Sequence, residues 1–378
     1  MQNQVVAEIN LSALRDNYRT MAAMAAPAKI IAPVKADAYG HGAVPCSQCL
    51  ADAGAAMLAV VTLNEALELR DGGLPTRILV MGVTDPNRVA EAVARGIDLA
   101  VHGREYGLAY ADAAARTGGT LLCHVHAETG MQRMGTAFDD VVPLIEALAA
   151  MPHVRVEGLM THHSHAEDPD PSVTAEQRDR LARLADALAR RGLRPPIVHA
   201  ANSAALMRFP DGRFDMVRPG IALYGVTPCP ELTPHVRLRP VMAIKAPITT
   251  IDDVPVGQGV SYCHTWIARR PSRVAALPVG YADGYPRALT NRAVVRVEGQ
   301  LAPAVGNVCM DTTLVDVTDV PQARVGSVVT LMEARTDSPL SVYALASLAG
   351  TIPHEIFCGI GRRVRRIYVH DERTGNSC

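Results

Sequence analysis

Ile30-Ile31-Ala32-Pro33-Val34-Lys35-Ala36-Asp37-Ala38-Tyr39-Gly40-His41-Gly42 is the stretch on which the fold reading turns. An apolar run ends on a lysine, small residues follow, and a helical pattern begins near residue 42. A lysine at the end of a buried strand is costly unless it is neutralised or bonded. Two uses meet that condition: a buried ion pair, or a Schiff base with an aldehyde cofactor.

Outward from this strand a rhythm continues. Apolar strand patterns fall near 29–34, 57–61, 77–82, 97–101, 121–127, 154–161, 196–200 and 215–224. Helical patterns lie between them, near 42–53, 63–72, 86–95, 103–117, 138–150, 172–192 and 202–208. Eight strands alternating with helices predict a (β/α)8 TIM-like barrel. An open doubly wound sheet would carry G-x-G-x-x-G after its first strand, and Gly40-His41-Gly42 does not continue that way.

Beyond Pro240 the texture changes to short β-branched runs, at 241–250, 273–279, 293–298, 313–317 and 327–332, punctuated by Gly and Pro. This predicts a C-terminal mostly β domain. The expected division is a barrel over 10–235, and a β domain over 236–378 joined by an N-terminal strand, 1–9. Pro228, Pro230 and Pro234 mark the linker between them.

Apolar residues make up 48% of the chain and charged residues 20%, which supports a large core and argues against disorder. A net charge of −1 offers no electrostatic footprint for nucleic acid. No apolar run reaches the roughly 20 residues of a membrane span. Met1-Gln2-Asn3-Gln4 lacks a basic, apolar leader, so a cytoplasmic protein is expected. The eight cysteines are scattered, which reads as free thiols. Cys46-Ser47-Gln48-Cys49 has redox spacing but reads as two helix thiols.

Barrel chemistry gathers at the C-terminal strand ends. There the sequence places Lys35 and Tyr39, then His126, Glu128 and Arg133, then His162, His163 and His165. His199, Asn202 and Ser203 follow, and last comes Arg218 with Pro219-Gly220-Ile221. One lysine, two arginines and several backbone donors suit a planar anion. No catalytic metal is expected, because the H-x-H pair His124–His126 falls on the fifth strand rather than the first. His354 and Cys358, four apart, are the one hint of a metal site in the β domain.

Val34-Lys35-Ala36-Asp37-Ala38-Tyr39-Gly40-His41-Gly42 resembles the pyridoxal-phosphate lysine motif of alanine racemases. The resemblance runs on through Glu128–Gly135, Gly158–His162, Ala201–Ala204, Val217–Gly225, Gly259–Tyr262, Pro278–Gly284 and Gly306–Asp311. It implies pyridoxal 5'-phosphate as cofactor, a small amino-acid substrate and a homodimer with shared active sites. It makes Lys35 the Schiff-base lysine and one base, and Tyr262 of a second copy the base on the opposite face. It implies that Arg218 meets the pyridine nitrogen, with His162 behind it. Tyr39, Asn202, Ser203, Gly220 and Ile221 would surround the phosphate. Arg133 and the Met310 N–H would bind the substrate carboxylate.

Two positions depart from that family. Many members carry a lysine, often carbamylated, where this chain has His126, so Arg133 would be oriented by His126 or Glu128 instead. Many place a tyrosine near the cofactor phosphate where this chain has Arg362, or Gly361 if the alignment slips by one; an arginine there could bind phosphate bidentately, or Arg362-Arg363-Val364-Arg365-Arg366 is a solvated basic stretch. The leading expectation is L- and D-alanine interconversion by Lys35 and Tyr262. A serine or broad-specificity racemase is the alternative, followed by a metal-assisted D-amino-acid aldolase or dehydratase of the same fold.

Overall fold

The computed structural model describes residues 4–232 and 236–371. Pro234, Cys378 and the first three residues of the N-terminal leader reading lie outside them. The chain divides into two compact units. One holds residues up to Leu14, Tyr39–Gly42 and Arg239 onward, and the other holds Arg15–Ala38 and Ala43–Leu238.

The chain begins with β1 (Val6–Asn10) and a helix, Leu11–Ala25. The Asn10 side chain accepts the Ala13 N–H at 2.9 Å and so caps that helix. Eight parallel strands then close into a barrel: β2 (Lys29–Pro33), β3 (Met57–Val60), β4 (Ile78–Val80), β5 (Ile97–Val101), β6 (Leu121–His126), β7 (Val154–Met160), β8 (Ile197–His199) and β9 (Met216–Val217). Closure is made by Lys29 and Ile30 of β2 against Met216 and Val217 of β9. Ile31, Met57, Ala59, Leu79, Ala100, Met160 and Ile197 pack together as its apolar core.

The eighth strand is shorter than expected. Only Met216–Val217 is extended, and Ile221–Tyr224 forms a 3-10 turn that ends at Gly225 with φ 85°. Pro219 has no N–H for a ladder, so the chain leaves the sheet there. The Tyr224 hydroxyl then donates to the Pro33 carbonyl at 3.0 Å, tying this turn to the end of β2.

The second unit is built on a nine-stranded sheet. Its strands are β1, β10 (Met242–Pro247), β11 (Thr250–Val254), β14 (Ser272–Leu277), β15 (Val294–Val297), β16 (Gln300–Val305), β17 (Thr313–Asp316), β18 (Val328–Met332) and β19 (Arg365–Val369). They lie in the order β11-β14-β17-β16-β15-β18-β10-β1-β19. Strands β12 (Gly259–Val260) and β13 (Trp266–Ile267) form a separate ribbon. β12, β13, β16 and β19, and all but the first residue of β11, fall outside the runs read from the sequence. β16 contains Pro303, a poor strand former, but the Glu298-Gly299 turn (φ 46° and 81°) folds it back on β15. β19 starts inside the basic stretch Arg362–Arg366, which reads as solvated, yet it pairs in parallel with β1.

Candidate active site

Lys35 opens a single helical turn, Lys35–Gly40, at the end of β2. That turn is left-handed: φ is 52° at Ala36, 55° at Asp37, 52° at Ala38 and 54° at Tyr39. Left-handed helix costs L-residues about 1–2 kcal/mol each, so other bonds must hold it. Glu65 supplies the first of them. Its Oε1 accepts the Ala36 N–H at 2.6 Å, while its Oε2 accepts the Val61 and Thr62 N–H groups at 2.9 and 2.8 Å. Asp37 Oδ1 accepts the Ala43 N–H at 2.6 Å. At the far end the Gly40 carbonyl accepts both Nε and Nη2 of Arg366, at 3.1 and 2.9 Å.

Gly40 has φ 77°, and a Cβ there would lie 2.1 Å from the Phe357 carbonyl oxygen. Gly40→Ala is therefore expected to destabilise the protein by about 2–4 kcal/mol. A lowered urea midpoint with an unchanged slope would show this; an unchanged midpoint would mean the turn tolerates a side chain.

Arg218 follows β9 and is buried. Its Nη1 lies 2.6 Å from His199 Nδ1 and 3.1 Å from the His199 carbonyl. Its Nη2 donates to the Thr161 and Ala200 carbonyls at 2.6 and 3.0 Å, with His162 Nδ1 at 3.2 Å. Burial, and then the nearby Arg133 charge, push Arg218 down to about 10, so it remains a cation at neutral pH. The same burial and cations act on the histidines. His162 is pushed well below its usual value by burial, Arg218, Arg133 and Lys35, so it is neutral. His163 is lowered to about 4 and His126 to about 3, with burial first in both.

Two short turns start beside these groups. Asn202 caps the helix Ser203–Arg208 by accepting the Ala205 N–H at 3.0 Å, and its amide donates to the His163 carbonyl at 3.4 Å. Ser203 Oγ accepts the Ala222 N–H at 3.3 Å. The N–H of Ile221 is first in its turn, so it has no acceptor within the turn. Tyr39 is buried, which raises its pKa and keeps its hydroxyl protonated as a donor.

Arg133 is exposed and makes no hydrogen bond or ion pair with another described residue. Direct orientation by His126 or Glu128 is not what the structure shows. Glu128 instead accepts the Gly130 and Gln132 N–H groups at 2.5 and 2.9 Å, holding the loop that carries Arg133. His126 Nδ1 lies 3.2 Å from His102 Nδ1. Arg362 is exposed and likewise unbonded among the described residues, whereas its neighbour Arg363 pairs with Asp283 and Asp311 at 3.0 and 2.8 Å.

In the second unit, Tyr262, Tyr281, Arg287, Asn307, Met310 and Asp311 line an open groove of about 550 Å³. Tyr262 is 73% exposed and Met310 53%, a large apolar outlay on a surface unless a partner meets it. A strained turn presents Tyr262: Ser261, Cys263 and His264 have φ of 62°, 60° and 42°. Ser261 Oγ donates to the Asn307 carbonyl at 2.8 Å, and Asn307 Nδ2 donates to the Tyr262 carbonyl at 2.7 Å.

Among the described residues no group of three or more His, Cys, Asp or Glu side chains could hold a metal ion. No described helix is long and apolar enough to cross a membrane. The seven described cysteines are free. Burial raises the Cys46 and Cys49 thiols, opposite to what a redox pair needs.

Sequence reasoning missed Glu65, although Thr62-x-x-Glu65 is a readable capping box. It also missed Asp98, whose signal is a carboxylate inside the apolar strand Ile97–Val101.

A lysine and a buried arginine at the C-terminal end of a closed parallel barrel, followed by a β unit, define a two-domain barrel enzyme. The model of the alanine racemase N-terminal domain matches residues 9–228, and that of the alanine racemase C-terminal domain matches 241–368. The chain belongs to the alanine racemase family, whose members are isomerases. It is 40% identical to the alanine racemase of Desulfovibrio desulfuricans over 366 residues, covering 97% of this chain and 98% of that one. Against alanine racemase of Halothermothrix orenii identity is 39%, covering 96% of each. Among solved structures, alanine racemase of Clostridium difficile 630 superposes with a TM-score of 0.93 at 32% identity, covering 98% of this chain and 97% of that one. Alanine racemase of the D-cycloserine producer Streptomyces lavendulae gives 0.92 at 36%, covering 98% of each.

Proposed function

We propose that this protein interconverts L- and D-alanine with pyridoxal 5'-phosphate bound by Lys35, two copies of the chain sharing each active site. The observation that carries this reading is the pairing of a half-buried lysine with a fully buried arginine in the barrel unit. The residues present suit the cofactor. Arg218 offers a fixed cation for the ring nitrogen, neutral His162 lies beside it, and Arg133 has a guanidinium that no other described residue binds. Tyr39, Ser203 and the Gly220 and Ile221 backbone supply donors for the phosphate, Asn202 holds their turn, and Arg362 adds a cation.

When bound, the cofactor's conjugated ring takes up the electron pair released at the substrate α-carbon. The protein's own part is to move two protons. The Lys35 amine removes or returns one on one face, and Tyr262 from a second copy does so on the other. Inversion requires an acid and a base on opposite faces. Arg133 and the Met310 N–H bind the carboxylate and fix which bond meets the two groups. Because Arg218 stays a cation at neutral pH, it would hold the ring nitrogen by a hydrogen bond without handing it a proton, which would limit side reactions.

Tyr262→Phe tests the two-face assignment. Turnover is expected to fall by about 10²–10⁴, and α-hydrogen exchange with solvent is expected to fall unequally for the two enantiomers. Equal loss for both would contradict opposite-face bases.

A further inference from the structure

Arg218 is a buried cation whose partners among the described residues are carbonyls and imidazoles, with no carboxylate. We propose that Asp98 is its counter-charge, acting through His199 and His124, and that these three are positioning residues for Arg218. Gly158 is the residue that makes room for the relay. The proposal rests on the reading of Arg218 as the ring-nitrogen partner.

The chain of contacts has one direction. A guanidinium carries only donors, so His199 Nδ1, 2.6 Å from Arg218 Nη1, accepts. His199 therefore carries its proton on Nε2, which lies 2.9 Å from His124 Nδ1. That nitrogen must accept in turn, so His124 is protonated on Nε2, 3.2 Å from Asp98 Oδ2. Every hydrogen points from Arg218 towards the carboxylate. Asp98 also accepts Arg77 Nε at 2.8 Å, and Arg77 Nη2 bridges Asp98 and Glu157 at 2.6 and 2.8 Å. Arg155 Nε also pairs with Glu157 from the surface, so the two buried carboxylates serve three guanidinium groups, those of Arg77, Arg155 and Arg218.

The relay crosses the barrel interior. Arg77 immediately precedes β4 and Asp98 is the second residue of β5, both at the N-terminal mouth. His124 lies within β6, while His199 ends β8 and Arg218 follows β9 at the C-terminal mouth. The backbone is shaped to seat the middle ring. The β6–β7 register shifts between Cys123 and His124, and a Cβ on Gly158 would lie 2.0 Å from His124 Nδ1. A ring that donates towards a carboxylate is a stronger acceptor at its other nitrogen. The relay therefore strengthens the grip of His199 on Arg218 and offsets its charge, without placing an anion beside the cofactor ring.

The first test uses the unaltered protein without added cofactor. Long-range proton–nitrogen NMR of histidine-labelled enzyme is expected to show His124 and His199 neutral and protonated on Nε2 at neutral pH. A proton on Nδ1 of either ring overturns the relay. The second test uses Asp98→Asn, which removes the charge, and Gly158→Ala, which displaces His124 while every polar group stays. In the holoenzyme of whichever variant folds, kcat in both directions is expected to fall by about 10–100-fold. KM for alanine is expected to stay within about twofold of the unaltered enzyme, as for a residue acting on the transition state alone. The visible cofactor band is expected to shift as well. A folded variant with unchanged kcat and band makes the network purely structural and sinks the proposal. Failure of the underlying reading looks different: Arg218→Gln would leave the band in place while the two tautomers stay as stated.

Discussion

Lys35→Ala is expected to remove turnover in both directions, by about 10³-fold or more, and to abolish the visible cofactor band while the fold persists. The size follows from the two duties assigned to one amine. In the proposed role it would anchor the cofactor covalently and move a proton on one face, a contribution of about 10²–10⁴ by itself. The fold is expected to survive because the left-handed turn after Lys35 is held through its backbone. Glu65 binds the Ala36 N–H, Asp37 binds the Ala43 N–H, and Arg366 binds the Gly40 carbonyl. Far-UV circular dichroism and the thermal midpoint check the fold; absorbance and turnover check the site. A variant that keeps either the band or measurable racemisation would remove Lys35 from the role given to it.

The second large effect is loss of stability in mild acid. Four histidines of the barrel unit are held below their usual pKa; His126, His163 and His199 are buried and His162 is half-buried. His126 is lowered to about 3 and His163 to about 4, and His162 and His199 lie well below their usual value, each chiefly through burial. In the unfolded chain each titrates near about 6.5. Above that pH both states are neutral and the stability is complete. As pH falls below it, the unfolded chain takes up protons that the folded chain refuses, and stability drops by about 1.4 kcal/mol per pH unit per histidine. Between about pH 6.5 and 4 the losses from His126 and His163 alone amount to roughly 7 kcal/mol. That is comparable to the whole stability of an ordinary domain, about 5–15 kcal/mol. Urea midpoints followed from about pH 7.5 to 4.5 are expected to fall steeply below about 6.5. A flat profile would mean these rings take up protons within the fold.

Much of the fold was legible because the barrel repeats one local rule. The strand patterns at 57–61, 97–101 and 121–127 find their elements almost residue for residue, since a strand buried on both faces is apolar throughout. The lysine motif was legible for the same local reason: an amine at the end of an apolar run stands out. Other features were not local. The reversal of hand at Ala36–Tyr39 has no propensity behind it and exists because Glu65, nearly thirty residues on, captures the Ala36 N–H. Arg365 and Arg366, the end of a basic stretch that reads as solvated, open a strand because β1, from the other end of the chain, lies beside them.

The sequence by itself determined the barrel-plus-β organisation, the lysine and the family motifs, because those depend on residue type and short spacing. Only the tertiary structure decided the electrical surroundings of the site. Arg77, Asp98, His124, His199 and Arg218 come from five separate segments, and closure of the barrel brings them within hydrogen-bond reach of one another. Burial then makes the Arg218 guanidinium a stronger acid than usual and disfavours a charge on His199, since removing water penalises the charged form.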